Sequence, residues 1–281
     1  MKEINNDAKM KARDTYNSAA DHFDDLPLAF WNRYGRKTVE RLSLARGAEV
    51  LDVACGTGAS AIPAAEIVGA NGKVTGIDLA ENLLELVRSK AREKNLSNIN
   101  FLNADMESSG FPDGSFDAVI CVFGIFFVPD MEKQIGELWR IVKPGGKLAI
   151  TTWGTGFFAP AYDYWKQVVK KERPELYTAY NPWDRITDTD SVRKLMEDGG
   201  ASYIEVTSED GQQSLRNPED WWIIALGSGL RWTIDQLSED EARRVRKANI
   251  KWLTENNINA VGTNVIYAVA KKDETQKPRR D

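Results

Sequence analysis

Three observations predict an α/β fold with a mainly parallel sheet for this 281-residue chain. Short apolar strand signals alternate with helix signals between residues 49 and 153. The first strand runs directly into a glycine turn, Gly56-Thr57-Gly58, that opens a helix of small residues. Two later strand signals, near 202–207 and 263–270, bring the expected sheet to seven strands. Such alternation places a parallel sheet between two layers of helices.

The elements follow in order. Ala12, Tyr16, Ala19, Ala20 and Phe23 fall near helical spacing, with Asn6 or Asp7 positioned as an N-cap. A second helix is expected from Trp31 to Leu44, ending at Gly47. Val50-Leu51-Asp52-Val53-Ala54 reads as a buried strand and Lys73 to Asp78 as the next. Leu83, Val87 and Ala91 mark one face of a helix over 82–94, and Ile99 to Asn103 is the third strand. The turn signal Pro112-Asp113-Gly114 opens a fourth strand, Phe116 to Phe123. Asp130 caps a helix whose apolar face is Ile135, Leu138, Trp139 and Val142. Lys143-Pro144-Gly145-Gly146 stops that helix before a fifth strand, Lys147 to Trp153.

Beyond Trp153 the rhythm breaks. Residues 154–186 are rich in aromatics and prolines, a short helix is expected over 191–197, and a sixth strand over 202–207. Asn217-Pro218 starts a helix with proline at its first position. Ser238 and Glu241 form a capping box before a helix with Ala242, Val245, Asn249 and Trp252 on one side. A seventh strand covers Thr263 to Ala270. The expected organisation is a pair of N-terminal helices over 1–45, a ligand-binding core over 46–153, and insertions plus the last two strands over 154–270. A charged tail over 271–281 is expected to be disordered.

Composition narrows the function. The chain is 42% apolar and 28% charged, as in ordinary globular proteins, with a formal net charge of −5. That charge argues against a broad electrostatic footprint on nucleic acid or an anionic membrane. No run approaches the roughly 20 apolar residues of a spanning helix, and the polar start shows no secretory signal. Cys55 and Cys121 are the only cysteines and stand apart, which fits a reducing compartment and a cytoplasmic location. With His22 the only histidine, a zinc set is short of ligands, and no metal is expected.

The glycine turn fits G-x-G-x-x-A over Gly56 to Ala61. Glycines let backbone approach a ligand, and the helix start offers free N–H groups. Two acidic neighbours sharpen the reading. Asp52, inside the first strand, would repel a pyrophosphate and attract an ammonium group. Asp78, 20 residues after Gly58, ends the second strand, where a carboxylate accepts ribose hydroxyls. The site therefore calls for a nucleoside with a cationic tail and no phosphate, the shape of S-adenosyl-L-methionine.

At this point the residues resemble class I S-adenosylmethionine-dependent methyltransferases, of the ubiquinone/menaquinone-biosynthesis-like small-molecule branch. The resemblance runs from Val50-Leu-Asp-Val-Ala-Cys-Gly-Thr-Gly58 through Gly76-Ile-Asp-Leu79 and Asn103-Ala-Asp-Met106. It continues in Phe111-Pro-Asp-Gly-Ser-Phe-Asp117 and Trp139-Arg-Ile-Val-Lys-Pro-Gly-Gly146, in order and at matching spacing. It implies a Rossmann-like sheet with helices on both faces; the aromatic-rich stretches 154–186 and 212–257, too long for simple loops, are expected to fold with the N-terminal helices as a mostly helical cap. The resemblance implies that Asp52 and the turn Ala54, Cys55, Gly56, Thr57 and Gly58 hold the methionine part of the cofactor. Asp78 would bind ribose, Leu79 pack on adenine, and Asp105 accept from the adenine amino group beside Met106. Cys121 and Phe123 would line the sulfonium side. Ala54 stands where the motif usually has its first glycine, and 123–130 lacks the His-His common in this branch.

Methyl transfer from a sulfonium needs a base only when the nucleophile must lose a proton. His22 has an ordinary pKa suited to that work; it also reads as an exposed helix-end histidine beside Asp21 and Asp24. Tyr16 and Phe23 face either the sulfonium or the helix interior. Phe23, Phe126, Phe127, Trp153, Trp183 and Arg185 are the substrate-side candidates, because insertions at strand carboxyl ends carry substrate contacts in α/β proteins. The expected function is methylation of a small aromatic or apolar molecule rather than of nucleic acid. A catalytically silent S-adenosylmethionine-binding protein is the alternative. A nicotinamide-dependent oxidoreductase fits the glycines but not Asp52.

Overall fold

Residues 49–153 lay down five strands in parallel: β1 (Glu49–Val53), β2 (Lys73–Asp78), β3 (Ile99–Asn103), β4 (Phe116–Val122) and β5 (Val142–Trp153). The structure, a computed structural model, describes residues 2–177 and 181–275. With β6 (Ile204–Glu209) and β9 (Val265–Lys271) they form a seven-stranded sheet of order β3-β2-β1-β4-β5-β9-β6. β9 is antiparallel to both its neighbours, β5 and β6. A separate two-stranded ribbon, β7 (Gln212–Ser214) with β8 (Ala260–Gly262), was not foreseen.

Both sheet faces are covered, as the apolar runs require. Val50, Ala118 and Ile120 face helices α2 (Phe30–Leu42) and α3 (Ala61–Val68), packing with Val39, Leu42 and Ile62. Leu51, Val53 and Val119 point the other way, into the core that contains Ile135 and Leu138 of α5 (Met131–Ile141). α4 (Glu81–Glu93) carries the expected buried Leu83, Val87 and Ala91. The strand order reverses between β1 and β4, the place where open α/β sheets leave a crevice at their carboxyl ends.

Helices from three stretches stand over that crevice. α1 (Lys2–Ala19) packs on α4 and on the short α9 (Arg231–Asp235). The 154–186 insertion forms α6 (Ala161–Glu172), whereas α7 (Thr189–Asp198) packs against β6, β9 and α5. α8 (Glu219–Leu226) and α10 (Glu239–Glu255) complete the group, with the Ser238–Glu241 capping box as expected. Trp221 is fully buried, and its Nε1–H donates to Asn249 Oδ1 at 3.2 Å.

Several boundaries differ from expectation. α1 begins at Lys2, so Asn6 and Asp7 lie inside it rather than capping it, and it ends before His22 and Phe23. Val142 belongs to β5, because the chain pairs with Phe116 before it bulges and resumes register at Lys147. The tail is ordered at first: Lys271 is in β9, and the buried Lys272 Nζ donates to Trp139 O at 2.8 Å and Val142 O at 2.9 Å. Both carbonyls lie where α5 passes into β5. The remainder of the expected disorder, 276–281, lies outside the described residues.

Candidate active site

The carboxyl ends of β1, β2 and β4 open onto a first cavity of about 110 Å3. Ala54, Cys55, Gly56 and Thr57 line its floor, with Asp78 and Leu79 on one side. Met106 and Phe123 line it further along, and Tyr16 and Phe23 close it from above.

The turn has the backbone that a close approach demands. Ala54, Gly56 and Gly58 have φ of +54°, +51° and +84°. Only the first is not glycine, and left-handed backbone costs an alanine on the order of 1 kcal/mol. Its methyl has room because Gly124 faces it: a Cβ on Gly124 would sit 2.6 Å from Ala54 Cβ. Gly58 does not line the cavity; a Cβ there would lie 2.4 Å from Val87 Cγ2, so this glycine lets α4 pack against the turn.

The acidic residues sort into three situations. Asp78 stands in the cavity wall, its Oδ2 accepting from Gly56 N and its Oδ1 from Ala80 N, each at 2.9 Å. Each oxygen keeps a lone pair for a ligand hydroxyl. Burial raises its pKa, while the N–H groups of Ala80 and Gly56 oppose the rise. Asp52 lies beneath the wall, fully buried, with Oδ2 accepting from Ser60 Oγ at 2.7 Å. Its Oδ1 has no partner among the described residues. Burial pushes its pKa up to about 7; the Ser60 bond lowers it and the charge of Asp78 raises it. Ser60 lines the cavity and Asp52 does not, so the carboxylate acts from one layer below the position the sequence suggested.

Asp105 is not in the cavity wall either. It pairs with Lys9 Nζ at 2.7 Å and caps a short turn by accepting from Glu107 N at 2.9 Å, so it straps α1 across the opening. A second strap joins Asp24 to the glycine turn: Thr57 Oγ1 donates to Asp24 Oδ1 at 2.7 Å, and Lys90 Nζ reaches the same oxygen at 2.6 Å. Neither long-range pairing has a sequence signal. Cys121 lies in the core under β4, outside the cavity, its thiol pushed up to about 12 by burial.

A second, larger cavity of about 300 Å3 adjoins the first. Tyr16, Trp31 and Phe127 line both. Phe126, Trp153 and Trp183 line the second, with Trp183 edge-on to Phe126 at 5.6 Å. Phe23 is instead in the first cavity, stacked on Trp31 at 5.3 Å. Arg185 is outside both, paired with Glu132 on the surface. His22 is also outside both: the turn after α1 points it at Asp25, Nδ1 to Oδ2 2.8 Å. Phe157, Tyr162, Trp165, Tyr177 and Trp232 join the second cavity without having been singled out, although the aromatic density of 154–186 and 212–257 pointed to these stretches. Trp31 had no signal beyond helical spacing.

The site fits a cationic nucleoside. A half-satisfied buried carboxylate lies beneath it, a ribose-competent carboxylate stands in its wall, and apolar surface from Leu79 and Met106 flanks it. On this fold, with the crevice at the β1/β4 reversal, that arrangement defines a class I S-adenosylmethionine-dependent methyltransferase. The chain belongs to the ubiE/COQ5 methyltransferase family, whose sequence model matches residues 4–211. It is 32% identical over 194 residues to a demethylmenaquinone methyltransferase of Listeria welshimeri, covering 65% of this chain and 82% of that one. Aklanonic acid methyltransferase DauC of Streptomyces sp. is 33% identical over 215 residues, 72% of this chain and 97% of that one. The fold is similar to that of the YcgJ protein from Bacillus subtilis, with a TM-score of 0.57 and 18% identity over 86% of this chain and 99% of that one.

Proposed function

We propose that this methyltransferase acts on a small aromatic or apolar acceptor held in the second cavity. One observation carries the reading: the cavity shares Tyr16, Trp31 and Phe127 with the cofactor cavity, and most of its remaining lining is aromatic or aliphatic. Pockets of this size and character suit compact apolar ligands with few polar groups. The family relatives named for demethylmenaquinone and aklanonic acid support the same class. Among the described residues no helix is long and apolar enough to cross a membrane.

In this reading Asp78 orders the ribose and Leu79 and Met106 flank the adenine, while Asp52 acts through Ser60 and its free oxygen on the ammonium end. S-adenosylmethionine, when bound, supplies a sulfonium methyl whose carbon accepts the acceptor's lone pair while the carbon–sulfur pair stays on sulfur. The chain contributes position and exclusion of water, which supply much of the rate in an in-line transfer. Tyr16, Phe23, Phe127 and the strapped α1 close the two cavities toward each other.

Two measurements test this. Trp183→Ala should raise KM for an aromatic acceptor about tenfold, since losing the contact of this half-buried indole costs about 1–2 kcal/mol. S-adenosylhomocysteine affinity by calorimetry should stay within about twofold. An unchanged KM would remove the acceptor from this cavity. His22→Ala, by contrast, should keep at least half of wild-type kcat, because the imidazole faces Asp25 rather than either cavity. A base would cost about a hundredfold when removed, and a loss of that size would put the histidine back into the chemistry.

A further inference from the structure

The lining of the second cavity is rich in cations and hydrogen-bond donors. Among the described residues that line it there is no carboxylate and no imidazole; its ionisable side chains are Lys11, Tyr16, Tyr162, Lys166 and Tyr177. Lys11 Nζ lies 3.3 Å from the centroid of the Trp232 ring and has no carboxylate partner among the described residues. Lys166 Nζ lies 4.9 Å over Tyr162 and 3.0 Å from Asp163. Lys170 Nζ sits 4.7 Å over Tyr177, on the same rim. Three ammonium groups thus rest on aromatic residues of one cavity, in a chain whose net charge is −5. Inside, Trp31 Nε1–H is sealed from water without an acceptor among the described residues. Tyr16 and Tyr162 are poor bases, since burial raises the pKa of Tyr16 and pushes Tyr162 up to about 12.

Resting on the reading that the second cavity takes an aromatic acceptor, we propose that this acceptor carries an anionic oxygen group, a phenolate or carboxylate, matched by the ammonium of Lys11 with Lys166 beside it. Lys11 is the strongest candidate for the counter-charge because its ammonium rests on the Trp232 ring, whereas Lys166 already lies 3.0 Å from Asp163. An aromatic face holds an ammonium by its quadrupole and leaves its remaining N–H groups free for an anion. A lining with no carboxylate or imidazole among its described residues suits such an acceptor. An acceptor that arrives as an oxyanion has already left its proton in solvent and brings its own lone pair, so the chain has no proton to remove. Two opposite charges are neutralised as the methyl moves, and a dry aromatic chamber favours that loss of charge. Rim cations also raise the encounter rate with an anionic acceptor and make it salt-dependent.

Calorimetry with saturating S-adenosylhomocysteine would test this, using 2-naphthoate, its neutral analogue 2-naphthalenemethanol and the cation 2-naphthylmethylammonium. At about 50 mM salt 2-naphthoate should bind about fivefold to tenfold more tightly than the alcohol, and the ammonium should bind most weakly. Lys11→Gln, a substitution at an exposed helix position, should reduce that preference to about twofold and leave the alcohol's affinity unchanged. Raising the salt to about 0.5 M should shrink the preference in the same direction. Equal binding of anion and alcohol, tighter binding of the ammonium, or a preference that survives in both Lys11→Gln and Lys166→Gln would overturn the inference and leave the aromatic-acceptor reading standing. Failure of all three naphthalenes to bind, or binding indifferent to Trp183→Ala, would overturn that reading itself.

Discussion

Replacing Asp78 with alanine will weaken S-adenosylmethionine binding about tenfold to a hundredfold and leave the protein folded. The carboxylate stands in the cofactor cavity with a free lone pair on each oxygen. A hydrogen bond to a charged group contributes about 1.5–3 kcal/mol, which sets that range. The substitution also frees the N–H groups of Gly56 and Ala80, so the glycine turn is left tied to β2 by the Cys55 N–H to Ile77 O bond. Asp78→Asn separates the two effects. It retains a neutral acceptor, and should lose less affinity than alanine. Calorimetric dissociation constants with parallel melting curves decide the matter; wild-type affinity in a folded Asp78→Ala protein would refute the assignment.

The second large effect is on pH. Asp52 is buried beneath the cavity wall with one oxygen unpaired among the described residues, and its pKa stands at about 7 because burial opposes its charge. In the free enzyme it is largely protonated below that value. A cationic cofactor interacts better with the ionised form, so binding releases a proton. Affinity should therefore rise with pH, by up to about tenfold per unit below pH 7, and level off above it. For the free protein the sign is opposite. A carboxyl with a raised folded pKa stabilises the fold fully below its unfolded value of about 4, and that contribution is lost as pH rises through about 7. Asp52→Asn should flatten the binding profile between about pH 5.5 and 7.5 and make the free enzyme more stable at the upper end. A wild-type dissociation constant that does not move over this range would remove Asp52 from cofactor recognition.

The cofactor half of the site was legible because its signals are local. β1, the glycine turn and the start of α3 are contiguous, and strand–turn–helix geometry follows from apolar runs, glycines and small residues within one stretch. Asp78 was singled out the same way, as the acidic end of the next strand, and it stands in the cavity wall. Even Asp52 and its partner Ser60 are eight residues apart. The resemblance supplied Leu79, Met106 and Phe123, all of which line the cavity. It also supplied Asp105 and Cys121, which do not, because a motif records a residue's place in the chain and not the partner that captures its side chain. Lys9, 96 residues away, takes Asp105.

The sequence by itself determined the alternation of strands and helices, the crevice-forming glycine turn, the two acidic residues around it and the family. Tertiary structure alone decided that β9 inserts antiparallel between β5 and β6, that His22 turns away to Asp25, and that Trp31 joins the wall between the cavities. Those outcomes depend on contacts between segments far apart in the chain. The closure entropy of joining them is repaid only by the apolar surface and charge pairs they bury together. No spacing within a single stretch of sequence encodes which of several aromatic helices will make that contact.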